Sequence, residues 1–182
     1  MKIRPILSIM LLLLTSVLSK AGSDTVADLP ADLRDALVRD AACSETSQEA
    51  GTEPAEFLKS PVKIQEIRGA TRGQVGSIVT FEDSCHCHDV NCSSYVYVLT
   101  GKAYKLAIAG SFASLHPTRF SKGGFPSLTG KLQVSDTQAE TTVYDWNGKG
   151  YQPTLCATVR QAENQKRPSI TRHGCTATPG SR

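Results

Sequence analysis

The sequence has no apolar run long enough to cross a bilayer. Its one extended apolar stretch, residues 6–18, falls short of the roughly 20 residues a spanning helix needs, and Lys2 and Arg4 precede it. Small residues follow at Ser19 and Ala21, which is the layout of a secretory leader over residues 1–21. No cysteine stands at the end of that leader to carry a lipid, so no stable membrane anchor is expected. Net charge is also missing. Lys2, Arg4 and Lys20 leave with the leader, and the remaining chain has 17 basic and 17 acidic residues. A balanced chain does not suit nucleic acid or an anionic membrane as its main partner. Catalytic signatures are missing as well: there is no His-x-x-x-His, Gly-x-Ser-x-Gly or Cys-x-x-Cys. Residues 60–63 fit Ser-x-x-Lys, but the partner motifs of penicillin-recognising enzymes are absent, so the match reads as chance. No cofactor is expected.

What remains is 161 residues once 21 are removed from 182, enough for one domain with a real core. Residues 28–43 read as a helix. Asp28 or Leu29 can cap it, Pro30 suits its first turn, and Leu33, Ala36, Leu37, Asp40 and Ala41 trace one stripe. Residues 44–54 are polar and read as a loop, which makes 22–59 an N-terminal helix-and-loop region with nine acids against three bases. From residue 62 the pattern changes to short β-branched and aromatic segments at 62–67, 77–81, 94–99, 104–109, 131–134, 141–146 and 154–159. Residues 161–182 read as a basic tail. The expected fold is mainly β (α+β), with a short N-terminal helix followed by an antiparallel domain over 60–160.

That domain contains an internal repeat. Residues 96–104 (Val-Tyr-Val-Leu-Thr-Gly-Lys-Ala-Tyr) match residues 143–151 (Val-Tyr-Asp-Trp-Asn-Gly-Lys-Gly-Tyr), and each reads as strand, glycine turn, strand. Gly76-Ser77-Ile78-Val79 and Pro126-Ser127-Leu128-Thr129 correspond upstream. Two related hairpin units, about 62–110 and 112–160, are expected. The Tyr144 to Tyr151 stretch resembles the repeat unit of FG-GAP/VCBS-type β-propeller proteins and of small, cysteine-bearing secreted bacterial proteins. The resemblance implies local hairpin architecture. The calcium loop of that family would fall on Ala70, Arg72, Gly73, Gln74 and Ser77, and Ala70 and Arg72 cannot supply the carboxylates calcium needs. Two units are also too few to close a propeller.

Six cysteines, Cys43, Cys85, Cys87, Cys92, Cys156 and Cys175, are disulfide candidates in an oxidising compartment. Cys85 or Cys87 can close a short loop onto Cys92. Cys43 can reach Cys156, and the cysteine left over from the first pair can tie down Cys175. A competing use is metal: Cys85, His86, Cys87 and His88 crowd four ligands suited to copper or zinc into four residues. Asn91-Cys92-Ser93 is a formal glycosylation sequon.

These features together predict a non-enzymatic protein of the periplasm or secreted space that binds a protein partner, most concretely an inhibitor or immunity protein that caps an extracytoplasmic enzyme or toxin. Lys102, Tyr104, Trp146, Lys149 and Tyr151, at or beside the hairpin turns, are its candidate contact residues. Metal handling through the Cys-His-Cys-His segment is the alternative. A secreted hydrolase is a third reading and would have to use Glu82, Asp83, Asp89 or His116.

Overall fold

The computed structural model describes residues 24–41, 54–122, 124–161 and 167–175. The expected leader, Cys43, the polar loop as far as residue 53 and the end of the tail lie outside the described residues. The fold is mostly antiparallel β with one short helix near the N-terminus, as the sequence predicts.

The chain enters through β1 (Asp24–Thr25), a 3-10 turn (Val26–Asp28) and α1 (Ala31–Ala41), and reaches β2 (Pro61–Arg68) after a single helical turn, α2 (Pro54–Phe57). Asp28 accepts hydrogen bonds from the Thr25 amide and hydroxyl at 2.9 and 2.7 Å, which closes a box at the entry turn. Strands β2, β3 (Val75–Phe81), β5 (Asn91–Thr100) and β6 (Ala103–Phe112) then follow as neighbours in the first sheet, with β1 on the β2 edge. The two-residue β4 (Cys87–His88) pairs with the start of β5. Strands β7 (Ser114–Lys122), β8 (Phe125–Ser135), β9 (Gln138–Trp146), β10 (Tyr151–Arg160) and β11 (Ser169–His173) meander through the second sheet in chain order.

Only Ala113 separates β6 from β7, and its amide donates to the Lys131 carbonyl of β8 at 2.7 Å. The chain thus changes sheets at this bend. The ring of Phe112 fills the corner. A side chain at Gly130 would meet that ring at 2.6 Å, so glycine there makes room for it.

Alternation sorts the apolar residues of the first sheet onto two faces. Ile67, Ile78, Val96, Val98 and Ile108 join Leu115, Phe125, Leu128, Tyr144, Trp146 and Tyr151 in a core between the sheets. Val62, Val79, Phe81 and Tyr97 point the other way, into a second core with Leu33, Ala36 and Leu37 of α1. The architecture is therefore helix, sheet, sheet. The near-continuous apolar runs of β3 and β5 have a physical reason, because central strands covered on both faces lose the polar half of their alternation. Asn91 adds a polar tie between the sheets: its side-chain amide donates to the Gln133 carbonyl and its carbonyl accepts from the Gln133 amide, both at 2.8 Å. The sequon asparagine is thus committed to holding β8.

Both copies of the repeat form hairpins, but they use their tyrosines differently. Tyr97 and Tyr104 face the helix-side core, whereas Tyr144 and Tyr151 enter the core between the sheets. The turns differ too. Thr100 pairs with Ala103 across Gly101 and Lys102, while Trp146 pairs with Tyr151 across residues 147–150, where the Asn147 side chain accepts from the Lys149 and Gly150 amides.

Candidate functional site

The Cys-His-Cys-His segment lies between β3 and β5. Beyond β3 the chain turns through Asp83, whose backbone carbonyl accepts from the Cys87 amide at 2.9 Å and whose side chain accepts from the His86 amide at 2.9 Å. Cys87 is bridged to Cys92 across the β4–β5 pair, and Asp89 takes a left-handed conformation (φ 53°) in the turn between them. Short polar side chains tolerate this region best. Cys156 is bridged to Cys175, and Cys85 is disulfide-bonded as well. The bridge from Cys156 to Cys175 overturns the expected links from Cys43 to Cys156 and from the cysteine-rich loop to the tail. The physical reason is β11, which pairs with β10 and brings Cys175 beside Cys156 within one sheet.

Oxidised sulfurs are not thiolate ligands, so Cys85 and Cys87 cannot hold zinc or copper(I) in this state. The histidines also diverge. His88 is almost fully solvent-exposed, whereas the His86 side chain is 5% exposed and stacks on Phe81 with ring centroids 3.7 Å apart. His86 Nδ1 lies 2.7 Å from Asp83 Oδ1 and Nε2 lies 3.2 Å from the Ala41 carbonyl at the end of α1. The metal expectation at Cys85, His86, Cys87 and His88 is therefore corrected. The segment is a structural clamp that ties α1 to the first sheet. Tyr97 adds a second tie, donating to the Ala36 carbonyl at 3.4 Å and to Asp40 at 3.2 Å, and burial together with the Asp40 charge pushes its hydroxyl far above the ordinary range. Burial works to raise the Asp83 carboxyl, but hydrogen bonds from the His86 ring and amide outweigh it and leave the group below its usual value.

The hydrolase candidates separate. Asp83 belongs to the clamp and Asp89 is exposed in the β4–β5 turn. Glu82 and His116 line one small cleft of about 340 Å³ with Lys63, Thr80 and Ser94. The Ser94 hydroxyl shares a hydrogen bond with Thr80 at 3.0 Å and contacts the Cys92 carbonyl at 3.4 Å. Those partners are not bases, so they do not activate it as a nucleophile.

The five candidate contact residues also divide. Trp146 and Tyr151 are buried, each 8% exposed, and pack edge to face with centroids 5.3 Å apart. The Tyr151 hydroxyl donates to the Pro126 carbonyl, and burial raises it strongly. Tyr104 is half-buried against the helix-side core. Trp146 and Tyr151 are corrected from surface anchors to core. The hairpins present their lysines, not their rings. Lys102 and Lys149 remain exposed at the turn tips.

Those tips share one end of the molecule. The β2–β3, β5–β6 and β9–β10 turns border a cleft of about 740 Å³ lined by Arg72, Lys105 and Lys149 and by no aspartate or glutamate. Gly73, Gly101 and Gly148 hold left-handed conformations at the three turns, and the space that a side chain would occupy at each is open. Phe125 and Trp146 contribute to the cleft wall. Sequence reasoning missed Arg72 and Lys105. Arg72 stands directly before a turn glycine, which is a readable signal. Lys105 lies within a strand and joins the site only through sheet packing.

Among the described residues, no group of three or more His, Cys, Asp or Glu side chains could hold a metal ion, and no helix is long and apolar enough to cross a membrane. Comparison with models of protein families, with curated proteins and with solved structures finds no match, so the site is read from its own chemistry.

Proposed function

We propose that this is a non-enzymatic binding protein of the periplasm or secreted space, of the inhibitor or immunity type, and that it engages a protein partner through the end of the molecule where three hairpin turns meet. One observation carries the reading: turns from both sheets, those at Gly73, Gly101 and Gly148, border a single cleft. Both sheets fix the positions of these turns, so a partner docks on preorganised backbone and the ordering cost of binding stays small. The disulfides support placement in an oxidising compartment. The candidate catalytic residues are divided between a buried clamp, an exposed turn and a small cleft with no activated nucleophile, which favours binding over turnover.

A photo-crosslinking residue placed at Lys102 or Lys149 tests the surface. In extracts of the compartment that holds the protein, both positions are expected to trap the same protein. The same probe at Asp136, in the turn at the far end of the β8–β9 hairpin, is expected to trap none. A partner trapped from Asp136 and not from the tips would refute the assignment.

A further inference from the structure

We infer that the hairpin-tip cleft is an anion site that takes a carboxylate-bearing peptide segment of the partner. This deepens the binding-protein reading and rests on it. Arg72, Lys105 and Lys149 come from three different places in the chain, yet they line one concavity with no carboxylate among its walls. None of the three is ion-paired among the described residues, whereas Arg39, Arg68 and His86 each have an acidic partner. The chain as a whole carries a net charge of only +3 over 182 residues, so three cations converging on one concavity are a local device and not an overall bias. Apolar walls from Phe125 and Trp146 help to focus their field into the cleft.

The choice among anions follows from the same walls. Nucleic acids and sugars are bound on exposed ring faces. Here Phe125 is 3% and Trp146 8% exposed, and their rings pack edge to face at 5.0 Å. They offer an apolar wall and no stacking platform. Carboxylates on an extended segment need only the cations and the open backbone at Gly73, Gly101 and Gly148.

Trp146 is the single tryptophan of the chain, so its emission reports the cleft directly. Hexaglutamate titrated into the full-length secreted protein is expected to change that emission saturably, and hexalysine to leave it unchanged. The apparent affinity is expected to fall at least about tenfold between about 0.05 M and 0.5 M salt, and by a similar factor in the triple variant Arg72→Gln/Lys105→Gln/Lys149→Gln. Lys131→Gln, at the opposite end of the molecule, is expected to bind as the parent does. No emission change, or equal binding by the triple variant, would overturn the anion site. Tighter binding of a polyuronate than of hexaglutamate would replace the peptide with a saccharide. If a protein partner crosslinks at the tips equally well to the triple variant, the anion site fails while the binding-protein reading stands. If hexaglutamate binds as expected and no partner crosslinks, the anion site holds and that reading falls.

Discussion

At the scale of single residues, His86 is held from several sides. Its two ring nitrogens each face an oxygen acceptor, Asp83 Oδ1 on one side and the Ala41 carbonyl on the other. The clamp is a hydrogen-bonded pair set against the Phe81 ring, and removing one partner leaves the other short of a bond. Asp83→Asn is expected to cost about 1–3 kcal/mol in urea unfolding at neutral pH. The pH dependence has a definite sign. The Asp83 carboxyl titrates below its ordinary 3.8 in the folded protein, so its contribution is complete above that value and is lost as the pH falls through the folded one. The stability gap between parent and variant is accordingly expected to narrow on acidification below about pH 4. A gap that stays constant down to full acid unfolding would mean that the pairing contributes nothing.

At the scale of elements, β11 is held without burial. All five of its residues are exposed, and its ties include the ladder to β10, a 3.3 Å hydrogen bond from the Ser169 hydroxyl to the Arg160 carbonyl, the Cys156–Cys175 bridge and a 3.2 Å contact from His173 to Glu140. The Gly174 carbonyl and the Glu140 carboxylate raise the His173 ring above its ordinary 6.5, so that contact is fully present below 6.5 and is lost as the pH rises through the higher folded value. The bridge closes a loop of 19 residues, which corresponds to about 3 kcal/mol of chain entropy. Cys175→Ser is expected to lower the melting temperature, speed amide exchange in β11 and leave its new reactive thiol at Cys156 rather than in the cysteine-rich loop. Unchanged exchange in β11 would show that the strand needs no tether. The same strand marks a limit of the sequence pattern. Six of the seven β-branched segments bury at least one side chain; in the seventh, residues 131–134, Leu132 and Val134 are exposed and only the composition made the strand legible. β11 buries none, so its polar residues read as tail. β7 was missed because Pro117 interrupts it, and proline is tolerated there only because β7 is the outer strand of its sheet, with a register shift following Pro117. The site was legible in the same measure. Turn glycines and Lys102 and Lys149 stand out locally, whereas the cleft with Lys105, the burial of Trp146 and the inward turn of His86 depend on which sheet face meets which neighbour, and that is a long-range fact.

At the scale of the whole molecule, the first sheet belongs to two cores at once. Adjacent residues of one strand, Ile78 and Val79 in β3 and Val96 and Tyr97 in β5, enter opposite cores. Neither the helix nor the second sheet can lose its packing without exposing one face of β3 and β5. The three layers are therefore expected to unfold together. Trp146 emission, which reports the core between the sheets, and helical circular dichroism, which reports α1, should follow one urea transition. Separate midpoints would show that the layers are energetically independent. Disulfides set where that transition falls. The loops of 5 and 19 residues closed by Cys87–Cys92 and Cys156–Cys175 together account for about 5 kcal/mol, against a total margin of about 5–15 kcal/mol for a domain of this kind. Cys85 is bridged as well, so full reduction removes still more. In reducing buffer the common midpoint is expected to move to much lower urea with both probes still coincident. The hairpin tips would then lose their fixed spacing along with the sheets that carry them. Partner crosslinking at Lys102 and Lys149 should consequently disappear under reduction and return on reoxidation, and crosslinking that survives full reduction would show that the tips recognise their partner without the fold.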